Sequence, residues 1–323
     1  MSKRRLLSGM QPTGLLHLCN LEGALSNWVK LQDDYEAYFF IADWHSLTTL
    51  YDSPDLIAQY AYQVAIDFLA AGLDPDQCAI FVQSAVKEHA ELHLLLSMVT
   101  PVSWLERVPT YKEKQAALKA AGSSYGLLGY PVLQAADILA YKADVVPVGR
   151  DQLPHLELAR EIGRRFNYLF GDIFPDCKAL MTQFPQIPGM DGRKMSKSHS
   201  NAIYIADSPE QTQQKIRLMF TDPNKLHRHD KGHKEGCAVY EMLNIFGRAD
   251  LHEDCEAGRA GCLETKDRLA DLINERLAPI RDRRRELLAK PSVVEDILAD
   301  GAHKARIAAQ QTLAEVREAM GVR

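Results

Sequence analysis

Short runs typical of β-strands alternate with longer helical patterns through the first half of this 323-residue chain. The strand-like runs lie at 5–10, 37–41, 78–83 and 144–148, and the helical patterns lie at 21–31, 53–71 and 131–141. Strands that alternate with helices of this length predict a parallel sheet covered on both faces, a Rossmann-like, doubly wound α/β fold. Ligands of such sheets bind beyond the carboxyl ends of the strands, so we expect functional residues just after Met10, Ile41 and Val148.

Helices dominate after about residue 190, where the strand pattern stops. Ser208, Pro209 and Gln211 form a capping signature for the first of these helices. Further helices are predicted at 238–247, 266–290, 293–300 and 303–319, with Pro291 ending the one at 266–290. We therefore predict a Rossmann-like domain at 1–190 with a loop at its edge over 191–200, a helical domain at 201–290, and C-terminal helices at 291–323 that pack back toward the core.

Composition limits the classes of protein to consider. The chain is 46% hydrophobic and 25% charged, and it has no stretch of about 18 uncharged apolar residues, so we expect a globular protein without a membrane partner. No signal-peptide core follows the first residue, and six cysteines are too sparse for a disulfide scaffold, which favours a cytoplasmic location. The net charge of −5 gives no general attraction to nucleic acid, so a polyanion would have to meet local basic patches.

The segment Lys194-Met195-Ser196-Lys197-Ser198 combines two lysines with two hydroxyls. Ammonium and hydroxyl donors lower the barrier to departure of pyrophosphate, because negative charge gathers on that group in the transition state. A flexible loop can also close over its substrate. The same pattern occurs in solvated surface turns, so the loop indicates a triphosphate site only together with a second motif.

The second motif lies in the turn after the first predicted strand, over 8–20. Its glycines and the helix that begins there can bring backbone N–H groups to a phosphate, and His17 adds a side-chain donor. A tight strand-to-helix connection with a hydrogen-bonded histidine would give the same pattern. The two motifs together favour a nucleoside triphosphate site.

The two motifs resemble the signatures of the class I aminoacyl-tRNA synthetases, with His17-Leu18-Cys19-Asn20 as the HIGH-type signature and 194–198 as a complete KMSKS signature. Further segments resemble the tryptophanyl branch: GMQPTG at 9–14, IADWH at 41–45, YPVLQAADIL at 130–139, and VVPVGRDQ at 145–152 followed by His155. The resemblance covers nearly the whole chain. It implies an ATP-dependent ligase that converts L-tryptophan to tryptophanyl-adenylate and pyrophosphate and then transfers tryptophan to tRNA(Trp).

The resemblance also implies the residues of a tryptophan site. They are Leu7, Gly9, His45, Tyr130, Gln134, Asp137, Ile138, Val146, Val148 and Gln152. Asp137 lies in an apolar run, where a carboxylate is costly unless it accepts hydrogen bonds, and the family assigns it the indole N–H. Pairing of Asp137 with an internal backbone donor or an arginine is the structural alternative. A site that depends on a substrate N–H rejects analogues without it by roughly 10⁴ or more, which disfavours tyrosine and phenylalanine.

For ATP, the resemblance implies Gln11, Thr13, His17, Cys19, Asn20, Gly149, Asp151, Lys194, Met195, Ser196 and Lys197. The catalytic set it implies is Gln11, His17, Lys114, Lys194 and Lys197. Lys114 has an alternative, since its charged surroundings are also typical of a solvated helix face. Mg²⁺ would accompany the nucleotide by bridging phosphate oxygens, so we expect no metal site built from protein ligands.

Two positions depart from the family pattern and keep other functions open. Cys19 stands where the HIGH-type signature normally has glycine, and Glu22 stands where an apolar residue is common. A non-catalytic paralogue that binds tryptophan or RNA would explain Cys19. A tyrosine-activating synthetase is the nearest enzymatic alternative, and Gln134 would not look foreign in one.

Cys237, Cys255 and Cys262 resemble part of a four-cysteine arrangement that holds a four-iron four-sulfur cluster in some bacterial tryptophanyl enzymes. The fourth position is Thr265, and a hydroxyl is a poor iron ligand beside thiolates, so we expect no cluster. A labile three-cysteine site, completed by water or an outside ligand, is the alternative.

Partners follow from the same resemblance. Basic residues cluster within 215–234 and 281–285 and would be read as solvated faces in isolation, but on a synthetase they favour anticodon binding by the domain at 201–290. The branch is dimeric, so we expect a homodimer with its contact at 103–128 and neighbouring helices. No DNA partner is expected.

Overall fold

A computed structural model describes residues 3–109, 111–112, 124–181, 187–220 and 222–322 of the chain. Its centre is a five-stranded parallel sheet with the order β3-β2-β1-β4-β5. The strands are β1 (Arg5–Met10), β2 (Glu36–Ile41), β3 (Cys78–Val82), β4 (Val145–Val148) and β5 (Lys178–Met181). The predicted doubly wound fold is confirmed. β5 was not predicted, because its four residues lack a buried apolar run.

Helices, joined by turns and loops, connect the strands and dominate the chain after β5. Those up to β5 are α1 (Leu18–Asn20), α2 (Ser26–Leu31), α3 (Asp43–Leu50), α4 (Pro54–Ala71), α5 (Glu88–Ser97), α6 (Val102–Leu105), α7 (Tyr125–Ala140) and α8 (Leu153–Phe170). Those after β5 are α9 (Pro209–Arg217), α10 (Ala238–Ile245), α11 (Glu253–Glu256), α12 (Cys262–Leu288) and α13 (Pro291–Met320). A π-helical segment, Leu21–Leu25, joins α1 to α2.

Two helix predictions were wrong at their ends. The helix predicted at 131–141 begins at Tyr125, because the Ser124 hydroxyl caps it by accepting from the Leu127 N–H at 3.1 Å. Pro131 is accommodated inside that helix. The helices predicted at 293–300 and 303–319 are one continuous helix, α13, so Gly301 does not end it. The capping box at Ser208 and Gln211 is confirmed.

The sheet separates two apolar cores because successive side chains of a strand point to opposite faces. Leu6 of β1 and Phe39 of β2 belong to one core, while Leu7 and Phe40 belong to the other. The helical part after residue 186 contributes mostly to the first core, and α13 contributes to the second through its alanines. The strands β1 to β4 are thus covered on both faces of the sheet.

The C-terminal helix lies directly on the backbone of the edge strand β3. A Cβ atom at Gly301 would come within 2.0 Å of the Ile80 carbonyl oxygen, which no side chain can tolerate. Glycine is therefore required at this crossing of α13 and β3.

A buried ion pair joins α12 to α4. The guanidinium of Arg284 binds the carboxylate of Asp67, and its Nη2 donates to Gln63 Oε1 at 2.8 Å. Asp67 is 0% exposed and Arg284 is 5% exposed. The neighbouring Arg283 donates to the Leu69 carbonyl at 3.1 Å. These two arginines, expected from sequence to belong to a basic patch, instead fasten the helical part to the sheet domain.

We predict that Arg284→Met lowers the free energy of unfolding by about 3–5 kcal/mol, because it leaves the Asp67 carboxylate buried and uncompensated. The double variant Arg284→Met with Asp67→Leu should recover most of this loss. Urea denaturation at pH 7 measures the stability of both variants. Arg285→Ala is the control, because Arg285 is next to Arg284 in the chain but exposed. Equal stability of Arg284→Met and the wild type would contradict the assignment.

Candidate active site

A cavity of about 290 Å³ opens beside the carboxyl ends of β1 and β4. These strands are neighbours in the sheet although β2 and β3 come between them in sequence, so the strand order reverses there. Residues 7–9 of β1 and 146–148 of β4 line the cavity. It therefore lies at the switch point, where a doubly wound sheet is expected to bind its ligand.

The residues that the sequence suggested for a tryptophan site are all brought together in this cavity. They are Leu7, Gly9, His45, Tyr130, Gln134, Asp137, Ile138, Val146, Val148 and Gln152. Gly9 is needed for space, since a Cβ there would come within 2.5 Å of the Phe40 ring. The Tyr130 hydroxyl oxygen lies 2.8 Å from His155 Nε2, which fixes the orientation of its ring at the cavity wall.

Asp137, on α7, carries the main charge of the cavity and is only 1% exposed. Its Oδ1 lies 2.8 Å from Gln83 Nε2 and 2.5 Å from His89 Nδ1, and its Oδ2 lies 2.8 Å from His45 Nε2. Burial acts to raise the pKa of Asp137, but the hydrogen bonds from His45 and His89 hold that pKa well below its usual range. Asp137 is therefore an ionised acceptor, held by side chains rather than by a backbone donor or an arginine.

Sequence reasoning missed several residues of this site. The missed lining residues are Ser8, Phe40, Ala42, Pro147 and His155, and the missed partners of Asp137 are Gln83 and His89. The alternation of β2 could have identified Phe40, which points to the same face as Tyr38. Nothing in the sequence links His89 to a carboxylate 48 residues later.

A second cavity, of about 950 Å³, adjoins the first and shares part of its wall. The shared residues are Ser8, Gly9, Pro147, Val148 and Gln152. Five residues suggested for ATP line the second cavity, namely Cys19, Asn20, Gly149, Asp151 and Lys194. Gln11 lines the first cavity. The remaining suggested residues, Thr13, His17, Met195, Ser196 and Lys197, are not among the described lining residues.

The KMSKS loop is docked on the HIGH-type turn. Lys197 Nζ donates to the Gly14 carbonyl oxygen at 3.0 Å. Gly14 has a φ of 142°, and a Cβ there would approach Lys197 Cδ to 3.2 Å, so glycine suits this contact. Burial lowers the pKa of Lys197 to about 8, so its ammonium remains largely protonated at pH 7. Burial, helped by the charge of Lys197, lowers the pKa of His17 to about 4, so His17 is neutral beside it.

Asn201, which is 2% exposed, forms hydrogen bonds that link several residues of the KMSKS loop. Its Oδ1 accepts from the Ser196 N–H at 2.8 Å, and its Nδ2 donates to Asp191 Oδ1 at 2.7 Å and to the Lys194 carbonyl at 3.2 Å. Hydrogen bonds from Asn201 and Arg193 lower the pKa of Asp191 to about 2. One buried amide therefore holds both lysine-bearing sides of the loop.

Glu22 is accounted for by the helical part of the chain. It lies in the π-helical segment after the HIGH-type turn, and its Oε1 accepts from Arg276 Nε at 2.9 Å. Arg276 Nη2 also reaches Glu22 Oε2 at 3.3 Å and Ser26 Oγ at 3.2 Å. The charged residue at position 22 thus links the nucleotide-side turn to α12.

The cysteines do not assemble a metal centre among the described residues, where no group of three or more histidine, cysteine or acidic side chains could hold an ion. Burial raises the pKa of Cys237, Cys255 and Cys262 above the ordinary thiol value. The Thr265 hydroxyl donates to the Gly261 carbonyl at 3.2 Å. Thr265 stands in place of a fourth thiolate and its hydroxyl is bonded to the backbone, so this donor set does not match the four thiolates that hold an iron–sulfur cluster.

Most cations of the basic patch at 215–234 are engaged within the protein. The ion pairs are Lys215–Asp207, Arg217–Asp267, Arg228–Glu264, His229–Asp230, His233–Asp222 and Lys234–Glu256. Lys225 is buried and donates to the carbonyls of Arg228, at 2.9 Å, and Asp230. Internal pairing therefore explains much of this patch without nucleic acid.

Lys114, which the family resemblance placed in the catalytic set, lies outside the described residues. Across the described residues, no helix combines the length and the apolar character needed to span a bilayer.

A doubly wound sheet with a HIGH-type turn at its switch point and a KMSKS loop docked on that turn defines the catalytic core of a class I aminoacyl-tRNA synthetase. The family model for class I tRNA synthetases (W and Y) matches residues 2–278, and the chain belongs to this family.

The most informative similar proteins all belong to one branch of this family. The tryptophan–tRNA ligase of Thermotoga maritima is 48% identical, with 98% of this chain and 99% of that protein aligned. The corresponding ligase of Aquifex aeolicus is 43% identical over 98% of this chain and 100% of its own length. The crystal structure of tryptophanyl-tRNA synthetase from Campylobacter jejuni complexed with ADP and tryptophan has a TM-score of 0.90 at 37% identity, covering 98% of this chain and 100% of that chain. The chain is thus a member of the bacterial tryptophanyl branch.

We predict that Asn201→Ala opens the loop. Loss of its hydrogen bonds, each of about 1 kcal/mol, should raise tryptic cleavage after Lys194 and Lys197 about 10-fold or more under native conditions. Limited proteolysis with mass spectrometry of the fragments measures the rate, and His199→Ala is the control because His199 is exposed in the same loop. Unchanged cleavage in Asn201→Ala would show that the loop does not depend on this amide.

Proposed function

We propose that the chain is an ATP-dependent tryptophan–tRNA ligase, with the first cavity holding tryptophan and the second holding ATP. The observation that carries this proposal is Asp137, an ionised acceptor in an otherwise largely apolar cavity at the switch point. A buried acceptor of this kind selects a substrate that brings an apolar ring with one N–H donor. The indole of tryptophan has that chemistry.

The adjoining cavities suit the first step. The tryptophan carboxylate, near Tyr130 and Gln152, attacks the α-phosphorus of ATP, which enters as its magnesium complex. The new bond joins the carboxylate oxygen to that phosphorus, and the bond to the bridging oxygen of pyrophosphate breaks. Lys194 and Lys197 stabilise the charge that moves onto pyrophosphate, since both belong to the loop that closes this side of the site. Gln11 and His17 contribute neutral donors.

The second step transfers tryptophan from the adenylate to the 3′ end of tRNA(Trp) and releases AMP. Anticodon contacts would come from the helical part after residue 200. Since ion pairs within the domain engage many of its cations, the exposed residues His227 and Lys231 are better candidates than the patch as a whole. Phosphate contacts of this kind weaken as salt rises.

The decisive assay is amino-acid-dependent exchange of pyrophosphate into ATP. We predict exchange with tryptophan and a kcat/KM for tyrosine at least about 10³-fold lower, because the pocket depends on the indole N–H. Asp137→Asn should lower kcat/KM for tryptophan at least about 100-fold by replacing the acceptor. Asp172→Asn is the matched control at an exposed position. Preferred exchange with tyrosine would refute the proposal.

Cys19 lines the ATP cavity and is the observation that favours a non-catalytic paralogue. In that case the wild type would bind tryptophan without exchange, and Cys19→Gly would restore it. For a working ligase, exchange is present in the wild type.

We further propose that the protein is a homodimer. Part of the expected contact at 103–128 lies outside the described residues, but the adjacent surface supports the proposal. Leu94 of α5 and Met98, which follows the last residue of α5, are four residues apart and 53% and 67% exposed, and Val102 at the start of α6 is 56% exposed. Large apolar side chains exposed so close together in the sequence are typical of an interface.

We predict that Leu94→Glu with Met98→Glu converts a dimer to a monomer in size-exclusion chromatography with light scattering. Leu218→Glu with Leu226→Glu is the control, since these exposed leucines lie in the helical part. A wild-type monomer would contradict the proposed assembly.

A further inference from the structure

Two of the three donors to Asp137 lie behind the cavity. Gln83 and His89 are 0% exposed and are not cavity-lining residues, whereas His45 lines the cavity. Both hidden donors bind Oδ1, while Oδ2 has His45 as its one partner among the described residues. An ionised carboxylate oxygen can accept more than one hydrogen bond. Oδ2 is therefore the oxygen that remains available to a ligand.

His89 is held through both of its ring nitrogens. Nδ1 lies 2.5 Å from Asp137 Oδ1, and Nε2 lies 2.6 Å from the Tyr141 hydroxyl oxygen. An ionised carboxylate can only accept, so Nδ1 carries a proton. Tyr141 is 0% exposed, and burial, followed by the charge of Asp137, raises the pKa of its hydroxyl well above the ordinary value. The hydroxyl thus keeps its proton, which it can donate to Nε2 when Nδ1 carries the only ring proton.

We propose that His89 is a positioning residue for tryptophan selection: Tyr141 holds it as the neutral Nδ1–H tautomer, and in that form it saturates Asp137 Oδ1 and leaves Oδ2 facing the indole N–H. This inference rests on the proposed function, in which Asp137 accepts that N–H. His89 does not touch the substrate. It acts by fixing which oxygen the cavity presents and by keeping that oxygen unprotonated.

The surroundings of Asp137 determine what removal of His89 does. The titratable groups that interact with Asp137 are His45 from α3 and His89 and His93 from α5. Tyr141 contacts the far side of the His89 ring, and the charges of Asp137 and Glu88 help to raise the pKa of its hydroxyl. Burial opposes the charge on Asp137, and the histidine donors offset that effect. Without His89 the pKa of Asp137 rises. As pH falls through the raised value, Asp137 gains a proton and Oδ2 is lost as an acceptor.

The kinetic test compares tryptophan with β-(3-benzothienyl)alanine, in which sulfur replaces the indole N–H. Pyrophosphate exchange is measured from pH 5.5 to 8.5. In the wild type, the kcat/KM ratio of the two substrates and the KM for tryptophan should stay nearly constant across this range. In His89→Leu the ratio should fall at least about 10-fold, the factor for loss of about 1.4 kcal/mol, and KM for tryptophan should rise as pH falls.

His89→Asn is the conservative variant, because its side-chain N–H can occupy the place of Nδ1–H. It should restore most of the ratio and the flat pH profile. A merely structural role for His89 would change stability without changing the pH dependence of KM. If folded His89→Leu keeps both the wild-type ratio and the flat profile, the inference is wrong.

A measurement on the wild type requires no variant to fold. Long-range ¹⁵N–¹H spectra of the full chain labelled at histidine nitrogens report the tautomer of each ring, and the signal of His89 is identified by its loss in His89→Asn. The expected signature is a protonated Nδ1 and an unprotonated Nε2. An Nε2–H tautomer or an imidazolium at His89 would overturn the inference. Absence of tryptophan-dependent exchange in the wild type would instead refute the proposed function, and the spectra would still decide the state of His89.

Discussion

The pairing of β1 with β2 on one side and with β4 on the other is the constraint on which the rest of the structure depends. Six consecutive residue pairs fix β1 against β2, so the turn after Met10 begins beside the end of β2. β4 joins β1 from the other side only after the chain has formed β3 and α7. Because β2, β3 and α7 come between β1 and β4 in the chain, the connections leave β1 and β4 on opposite sides, and a crevice opens between them at the switch point. Asp137 of α7 lies in the second core, next to the ends of these strands.

The sequence was sufficient to predict the parallel sheet, because β1 to β4 are short apolar runs with clear helical patterns between them. The cavity wall could be predicted through the family resemblance, since its residues fall in contiguous motifs such as 130–139. The hidden donors to Asp137 could not, because Gln83 and His89 meet it through tertiary packing. β5 was missed for lack of an apolar run, and the start of α7 was missed because burial outweighs the local effect of Pro131.

Charge patterns were the least reliable guide. A cluster of arginines reads as a nucleic-acid patch, yet Arg284 is buried against Asp67 and Arg283 binds a backbone carbonyl. Glu22 stands where the family commonly has an apolar residue, yet Arg276 of α12 forms an ion pair with it. The meaning of each charge depends on which residue the fold places opposite it. Net charge and local composition do not contain that information.

The crossing of Gly301 on Ile80 bears on how the protein avoids pairing with other chains. β3 is an edge strand, and α13 lies against its backbone at Gly301. The open edge of a sheet carries unpaired N–H and C=O groups that another chain can bind. A side chain at position 301 would therefore weaken more than the packing of α13, because it would uncover an edge at which two molecules of the protein could associate.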